Sequence, residues 1–453
     1  MQNNKVIAIF RNKIGIDTAI IYTAFSRIIQ GGSGFLSMLF VIKFLDKFEQ
    51  GYFYTFGSII ALQVFFELGL TSIITQFTAH EFANLKFSDK YTLDGDLKNL
   101  SRVSSLLHLS VKWFSVLSIL LFVFLTVIGF IFFQNYGNNS VDWFYPWLIL
   151  VLTSSLNLLV IPILSFLEGL GKVKEVAMIR LVQYSIQAAF VLLFLSTGFH
   201  LYSSAIANFL AFIAIPLFLY FSYRKKLIIN IWKNNITERV NYIKEILPFQ
   251  WKISISWISG YFIYQLINPI VFATEGAIVA GQIGLSLAVF NGIQSISLSW
   301  LNTKIPFFST AIAQKKFDTL DLVFKKTIIQ STVVSFVSIL FFLFALNVSN
   351  LYIENFSQRF LEPKLLYVLA FSVITNQFVS GLAIYLRCHK KEPFLYFSIL
   401  MAVIIVAGIF LLGKLHGIWG IILFYSFVIS CISLPIALWI FYTKRKLWHY
   451  DEK

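Results

Sequence analysis

Runs of twenty or more residues almost free of charge recur along this whole chain, and they leave it few ways to fold. An α-helix needs about 20 apolar residues to cross the hydrocarbon core of a bilayer. Inside that core every backbone N–H and C=O must find a partner within its own segment, so helices are the default spanning form. Twelve such runs can be read, at 18–42, 52–76, 113–133, 146–167, 177–198, 202–222, 249–272, 277–301, 328–348, 364–386, 394–413 and 417–442. They are numbered below as spans one to twelve. The 453 residues have room for these, joined by short connections, and for little else. Spans eleven and twelve are separated only by GKLH, which implies a tight reversal. The composition agrees: 58% of residues are hydrophobic and 13% charged, where soluble domains have about a quarter charged. The expected fold class is an all-α polytopic membrane protein of about twelve transmembrane helices.

The formal net charge is +15. In a soluble chain this would point to nucleic acid. Here the basic residues lie between spans, where they report topology, and no nucleic-acid partner is expected. Of the 36 lysines and arginines, 29 fall in the N-terminal segment, the C-terminal segment and every second connection between them, with Lys252 at the start of span seven counted here; five fall in the other connections, with Lys364 at the start of span ten counted there; and Arg27 and Arg180 lie deeper within spans. This asymmetry predicts that both termini are cytoplasmic. The opening MQNNKVIAIFRNKIG does not read as a cleaved signal, because the following run is too long and lacks a small-residue cleavage site. Cys388 and Cys431 are far apart and suggest neither a disulfide framework nor a metal site.

The stretch Arg224–Pro248 is basic, contains Trp232 and divides the spans six and six. The expected division is a lobe over 1–223, a cytoplasmic linker over 224–248 that can lie on the membrane surface, and a second lobe over 249–453. An even number of spans per half makes any internal repeat parallel. At a shift of 230 residues Gly51 aligns with Gly281, Phe77 with Phe307, Ala83 with Ala313, and Lys86-Phe87 with Lys316-Phe317.

Polar residues within the spans fall in stripes. Span one holds AFSRIIQGGSG, in which Thr23, Arg27, Gln30, Gly31 and Gly34 share a helix face. Arg27 lies about 15 Å along the helix from Asp17, too deep to snorkel easily. Span two has Gln63, Glu67, Thr71 and Thr75 at steps of four. Span four has Ser154, Asn157, Ile161, Ser165 and Glu168; span five Arg180, Gln183, Tyr184 and Gln187; span seven Lys252, Ser256 and Ser259; span eight Asn291, Ser295 and Asn302. Ionisable residues in spans generally face the bundle interior or a wet cavity. The stripes predict a hydrated, net cationic central cavity with Arg27, Gln30, Arg180, Gln183, Lys252, Lys304 and Asn291 as substrate-binding residues. Glu67 is the candidate for coupling or gating. Plainer roles compete with these. Serines, threonines and glycines at helix contacts are ordinary packing. Lys252, Lys304 and Arg180 can anchor span ends, Glu168 can cap one, and Arg27 can pair with Glu67 as a structural bridge.

No GxxxxGK[ST] loop, HExxH pair or spanning GxSxG motif is present, and no long external connection could house a glycosyl-transfer site. The expectation is therefore a transporter and not an enzyme, with no cofactor.

Several phrases resemble a known family. GYFYTFGSIIALQVFFELGL followed by TSIITQFTAHE resembles the second span and following loop of O-antigen flippases, the Wzx-type branch of the multidrug/oligosaccharidyl-lipid/polysaccharide (MOP) exporter superfamily. LSFLEGLGKVKEVAMIRLVQ is similar to that family's fourth-to-fifth connection, and YLRCHKKEPF to its tenth-to-eleventh. The resemblance runs over nearly the whole chain. It implies two six-helix lobes facing each other in a V, and a multi-pass protein of the bacterial inner membrane. The implied activity moves undecaprenyl-pyrophosphate-linked oligosaccharide from the cytoplasmic to the periplasmic leaflet. Arginine suits a diphosphate because its fork binds two oxygens at once. By the same resemblance Arg27, Glu67, Arg180, Lys252 and Lys304 are the functional charges, transport is open to coupling by H+ or Na+, and a polysaccharide polymerase and chain-length regulator are neighbours. The alternatives are an ion-coupled drug or cation exporter of the same superfamily and, from another class, a membrane-embedded polymerase or glycosyltransferase.

Overall fold

The computed structural model describes Tyr22, Ile29, Ser33 and Gly34, then residues 36–451 apart from Asn139, residues 350–355 and Lys390. Thr23, Arg27, Gln30 and Gly31 lie outside the described residues. Among those described, nine helices are long and apolar enough to cross a membrane, or ten if the bent pair Lys47–Glu67 and Leu70–Phe82 is one span. They fall on the expected runs. Span two is the bent pair, span three is Leu97–Tyr136, span four Phe144–Gly169, span five Val173–Ser196 and span six Tyr202–Phe221. Span seven is Gln250–Glu275, span eight lies in Ala277–Ile312, span nine in Phe317–Ser349, span ten is Pro363–Arg387, and spans eleven and twelve share Leu395–His449. This last run is not straight. Gly417 has φ 58° and ψ −146°, outside the helical region. A Cβ on Gly408 would overlap the ring of Phe424, although a straight helix would hold these positions about 24 Å apart. The chain folds back at Gly417, directly after GKLH, so two antiparallel spans stand where one long helix would otherwise run.

Two departures from the expected pattern occur on the polar side of span three. Its helix starts at Leu97 and runs for 40 residues, about 60 Å, so it extends well beyond the apolar run. Before it, Leu85–Phe87 (β1) and Leu93–Gly95 (β2) form an antiparallel hairpin pairing Leu85 with Gly95. The apolar pattern signalled helices only. The hairpin is made by its turn: Asp89 Oδ1 accepts from the N–H groups of Tyr91 (2.5 Å) and Thr92 (2.7 Å). The Tyr91 N–H bond holds the Asp89 carboxyl below the usual carboxylate range.

The chain packs as two compact units. The first contains Leu62–Phe132 and Asp142–Ser254; the second contains Met38–Ala61, Phe133–Val141 and Ile255–Lys453. Two pieces of the N-terminal half thus belong to the second unit.

In the second unit, Lys47–Ile60 is opened by a capping box in which Asp46 and Glu49 bond each other's N–H groups (2.7 and 3.1 Å). This helix lies against Ala277–Asn302 with main chain on main chain. A Cβ on Gly51 would overlap the Ala277 carbonyl, one on Gly281 would lie 2.9 Å from Gly51 N, and one on Gly284 would overlap Tyr54. Gly51 and Gly281, the pair aligned by the 230-residue shift, meet in space. Gln50 is buried beside them and donates to Gly281 O (2.8 Å) and Arg359 O (3.0 Å).

In the first unit the basic stretch after span six forms the helix Arg224–Lys233. It is amphipathic: Arg224, Leu227 and Ile231 are buried, while Lys225, Lys226, Ile229 and Lys233 are exposed. Trp232 turns inward and stacks on His108 (3.7 Å). Arg224 Nε donates to Glu175 Oε2 (2.5 Å). The chain that follows is strapped to the start of span three. Ser101 Oγ accepts from Thr237 N and Glu238 N (both 2.8 Å), and Arg102 bridges Glu81 (2.9 Å) and Glu245 (2.5 Å).

Candidate functional site

Span two carries a break in its middle. The helical turn Val64–Glu67 ends at Leu68 (φ 49°, ψ 30°), and Gly69 (φ 70°, ψ 9°) follows in the same left-handed region. Gly69 adopts this conformation readily, whereas Leu68 is strained there. The two halves are bent by 41°. A break at this depth frees backbone groups that the surrounding protein must satisfy. Ser254 Oγ, from the helix Leu247–Tyr264, donates to Leu68 O (3.0 Å) as well as to Gln250 O (2.9 Å). Removing that donor by Ser254→Ala is expected to destabilise the protein by about 1 kcal/mol, read as a lower Tm in detergent. An unchanged Tm would mean that water serves the Leu68 carbonyl equally well.

The break corrects the expected step-four stripe. Gln63 and Glu67 close one helical segment, and Thr71 and Thr75 belong to the next, so the four do not share one straight face. Their chemistry still converges. Thr71 Oγ1 donates to Glu67 Oε1 (2.5 Å), and Thr75 Oγ1 donates to Ser165 O of span four (3.0 Å). Glu67 is the last residue before the break.

Arg180 sits among carboxylates. Its guanidinium is 3.5 Å from Glu168 Oε1, both side chains being partly exposed, and its charge also reaches Glu67. Glu168 therefore has an ionic partner beyond its place at a span end. The pair is loose and solvated, and such pairs hold their members weakly. Arg180 Nε is buried with no hydrogen-bond partner among the described residues. The proposed bridge between Glu67 and Arg27 falls outside the described residues.

Beside this group runs a layer of side-chain amides and hydroxyls from four spans. Ser154 Oγ donates to Gln63 Oε1 (2.6 Å), Gln183 Nε2 to Asn157 Oδ1 (3.3 Å), and Gln187 Nε2 to Asn208 Oδ1 (2.9 Å). Of the residues read as stripes on spans four and five, Ser154, Asn157, Glu168, Arg180, Gln183 and Gln187 have side-chain partners. Asn208 was missed. It stands in IANFLAF with no polar residue at helical spacing on its apolar side, and only its position opposite Gln187 reveals it. The break at Leu68 was also missed, although a glycine within a span, in FFELGLTS, is its signal.

The remaining expected residues are placed as follows. Lys252 belongs to the first unit and is exposed, its ammonium 5.9 Å from the Trp251 ring. Asn291 and Lys304 belong to the second unit and are exposed, Lys304 in the turn between Ala277–Asn302 and Ile305–Ala313. Within the first unit the structure thus brings Arg180 to Glu168 and within reach of Glu67, and joins Gln183 to Asn157. Among the described residues no three His, Cys, Asp or Glu side chains are grouped to hold a metal ion.

No family model matches the chain, and no curated protein is similar to it in sequence. Solved structures are similar in fold. An inward-facing MATE family multidrug resistance transporter of the MOP superfamily matches with a TM-score of 0.59 at 13% identity, covering 93% of this chain and 99% of that one. A MOP superfamily transporter from Pyrococcus furiosus, whose pocket of reverse polarity suggests a different function for it, matches at 0.55 and 15% identity, covering 96% of each chain. A MATE protein in complex with MaL6 matches at 0.52 and 15% identity, covering 96% of this chain and 97% of that one. The chain has the fold of these transporters, an all-α multi-pass membrane architecture.

Proposed function

We propose that this protein moves an undecaprenyl-pyrophosphate-linked oligosaccharide from the cytoplasmic to the periplasmic leaflet of a bacterial inner membrane by alternating access. The observation that carries this reading is the amide and hydroxyl layer of the first unit. Gln63, Asn157, Gln183, Gln187 and Asn208 each offer more donors and acceptors than their mutual bonds use. Sugar hydroxyls match such a surface, whereas an apolar drug is better received by an apolar, aromatic pocket. Arg180, only loosely held by Glu168, supplies a guanidinium for the pyrophosphate, with Lys252 as a further cation. Arg27 and Gln30 take the same part on the sequence reading, and Asn291 and Lys304 serve the second unit. Glu67, at the break, is the group whose protonation gates or couples movement. A polymerase and a chain-length regulator are the natural partners for the product.

A second reading, an ion-coupled exporter of drugs or cations, is favoured by one observation: two carboxylates, Glu67 and Glu168, lie about Arg180. Proteoliposomes separate the two. The flippase reading expects a fluorescent undecaprenyl-pyrophosphate oligosaccharide to equilibrate between leaflets, with ethidium left unmoved. Arg27→Ala should abolish the movement at normal protein levels, Arg27→Lys should retain part of it, and Glu67→Gln should slow it. Ethidium transport without glycolipid movement would replace this reading by the second.

A further inference from the structure

The second unit carries a polar group at membrane depth that transport by the first unit leaves unexplained. Asn376 lies near the middle of span ten, Pro363–Arg387, about 20 Å from one end and about 17 Å from the other. Tyr264 OH donates to its Oδ1 (3.1 Å). The Asn376 side chain is nine-tenths buried, yet its Nδ2 has no hydrogen-bond partner among the described residues and is not sealed from solvent. The neighbouring Thr375 Oγ1 shares a hydrogen bond with Ser430 Oγ (3.0 Å).

The backbone is irregular at the same place. The helix Leu247–Tyr264 stops at Tyr264 and resumes as Ile267–Glu275. Ser430 lies in a π-helical turn, Val428–Ser433, within span twelve. Such turns concentrate at functional sites, and irregular backbone is tolerated in a membrane only where protein or a wet cavity covers it. Tyr264 remains 42% exposed. An unpaired amide donor beside an accessible phenol has no use for hydrocarbon, which would leave it unsatisfied.

We propose that Tyr264, Asn376, Thr375 and Ser430 form a saccharide subsite in the second unit. The Tyr264 ring offers a flat apolar face to the C–H side of a pyranose, and the Asn376 amide offers its spare donor to a ring hydroxyl. All four side chains are uncharged. Arg387, whose charge reaches Tyr264, is itself paired with Glu392 (3.2 Å). The ligand is therefore the neutral sugar and not the pyrophosphate. This assignment rests on the proposed glycolipid transport for its ligand class.

The test uses the full chain in nanodiscs and two probes, undecaprenyl pyrophosphate and the same lipid bearing one N-acetylglucosamine, with binding followed by native mass spectrometry. Tyr264→Phe keeps the ring and removes the donor, and Asn376→Ala removes the amide. Each is expected to weaken the glycosylated probe about tenfold while leaving the bare lipid within about twofold, the scale of one lost hydrogen bond. Equal weakening of both probes, or no weakening of the glycosylated one, overturns the subsite while the transport reading stands. Failure of the unaltered protein to hold either probe overturns the transport reading and the subsite with it.

Discussion

A branched side chain at position 51 is expected to abolish the folded protein. Gly51 lies where Lys47–Ile60 crosses Ala277–Asn302, and a Cβ there would occupy the space of the Ala277 carbonyl. The obstacle is main chain, which cannot rotate aside as a side chain can. Overpacking a core ordinarily costs about 1–3 kcal/mol; Gly51→Val should exceed this, because separating the helices also breaks the buried Gln50 bonds to Gly281 O and Arg359 O. Gly57 is the control. It lies on the same helix, and a Cβ there meets nothing within 4 Å. Gly57→Ala should leave the detergent-solubilised protein monodisperse with an undiminished Tm, while Gly51→Val should aggregate or fail to accumulate. A Gly51→Val protein that elutes and melts like the unaltered one would show that the two helices do not meet through their backbones.

The second large effect is expected at Arg102. Its guanidinium bridges Glu81, whose side chain is only 8% exposed, and Glu245. Arg102→Ala leaves Glu81 buried without its cation, a change that typically costs about 3–5 kcal/mol, and frees the 237–246 strap from span three. The pH dependence has a definite sign. The hydrogen bond from Arg102 holds the Glu245 carboxyl below the usual carboxylate range. A group whose folded pKa is lowered stabilises the fold at pH values above its unfolded pKa, and that contribution fades as pH falls through the folded value. The Tm gap between the unaltered protein and Arg102→Ala should therefore be widest near neutrality and narrow below about pH 4, where carboxylates protonate. A gap that is absent, or constant from neutrality into acid, would remove Arg102 as the clasp.

Much of this architecture can be read along the chain because a bilayer imposes a one-dimensional rule. Length and apolarity decide which segments span, and they located spans four, six, seven and ten to within about three residues, and the reversal after GKLH. Where a span begins or ends against polar surroundings, apolarity is silent. Hence the long polar start of span three and the hairpin before it went unread; both depend on hydrogen bonds made by Asp89, Ser101 and Arg102, not on hydropathy. The polar faces of spans four and five were legible because a helix keeps residues three and four apart on one side. What those faces would meet was not legible.

Sequence alone determined that the chain is a bundle of membrane helices, where most of those helices lie, and that several carry amides and charges at helical spacing, since each follows from local composition and a fixed helical period. Tertiary structure alone decided that Glu168 joins Arg180, that Asn208 faces Gln187, that span two breaks beside Glu67 under the Ser254 hydroxyl, and that Tyr264 finds Asn376 more than a hundred residues away. These pairings depend on which helices become neighbours, and packing between distant segments leaves no period in the sequence.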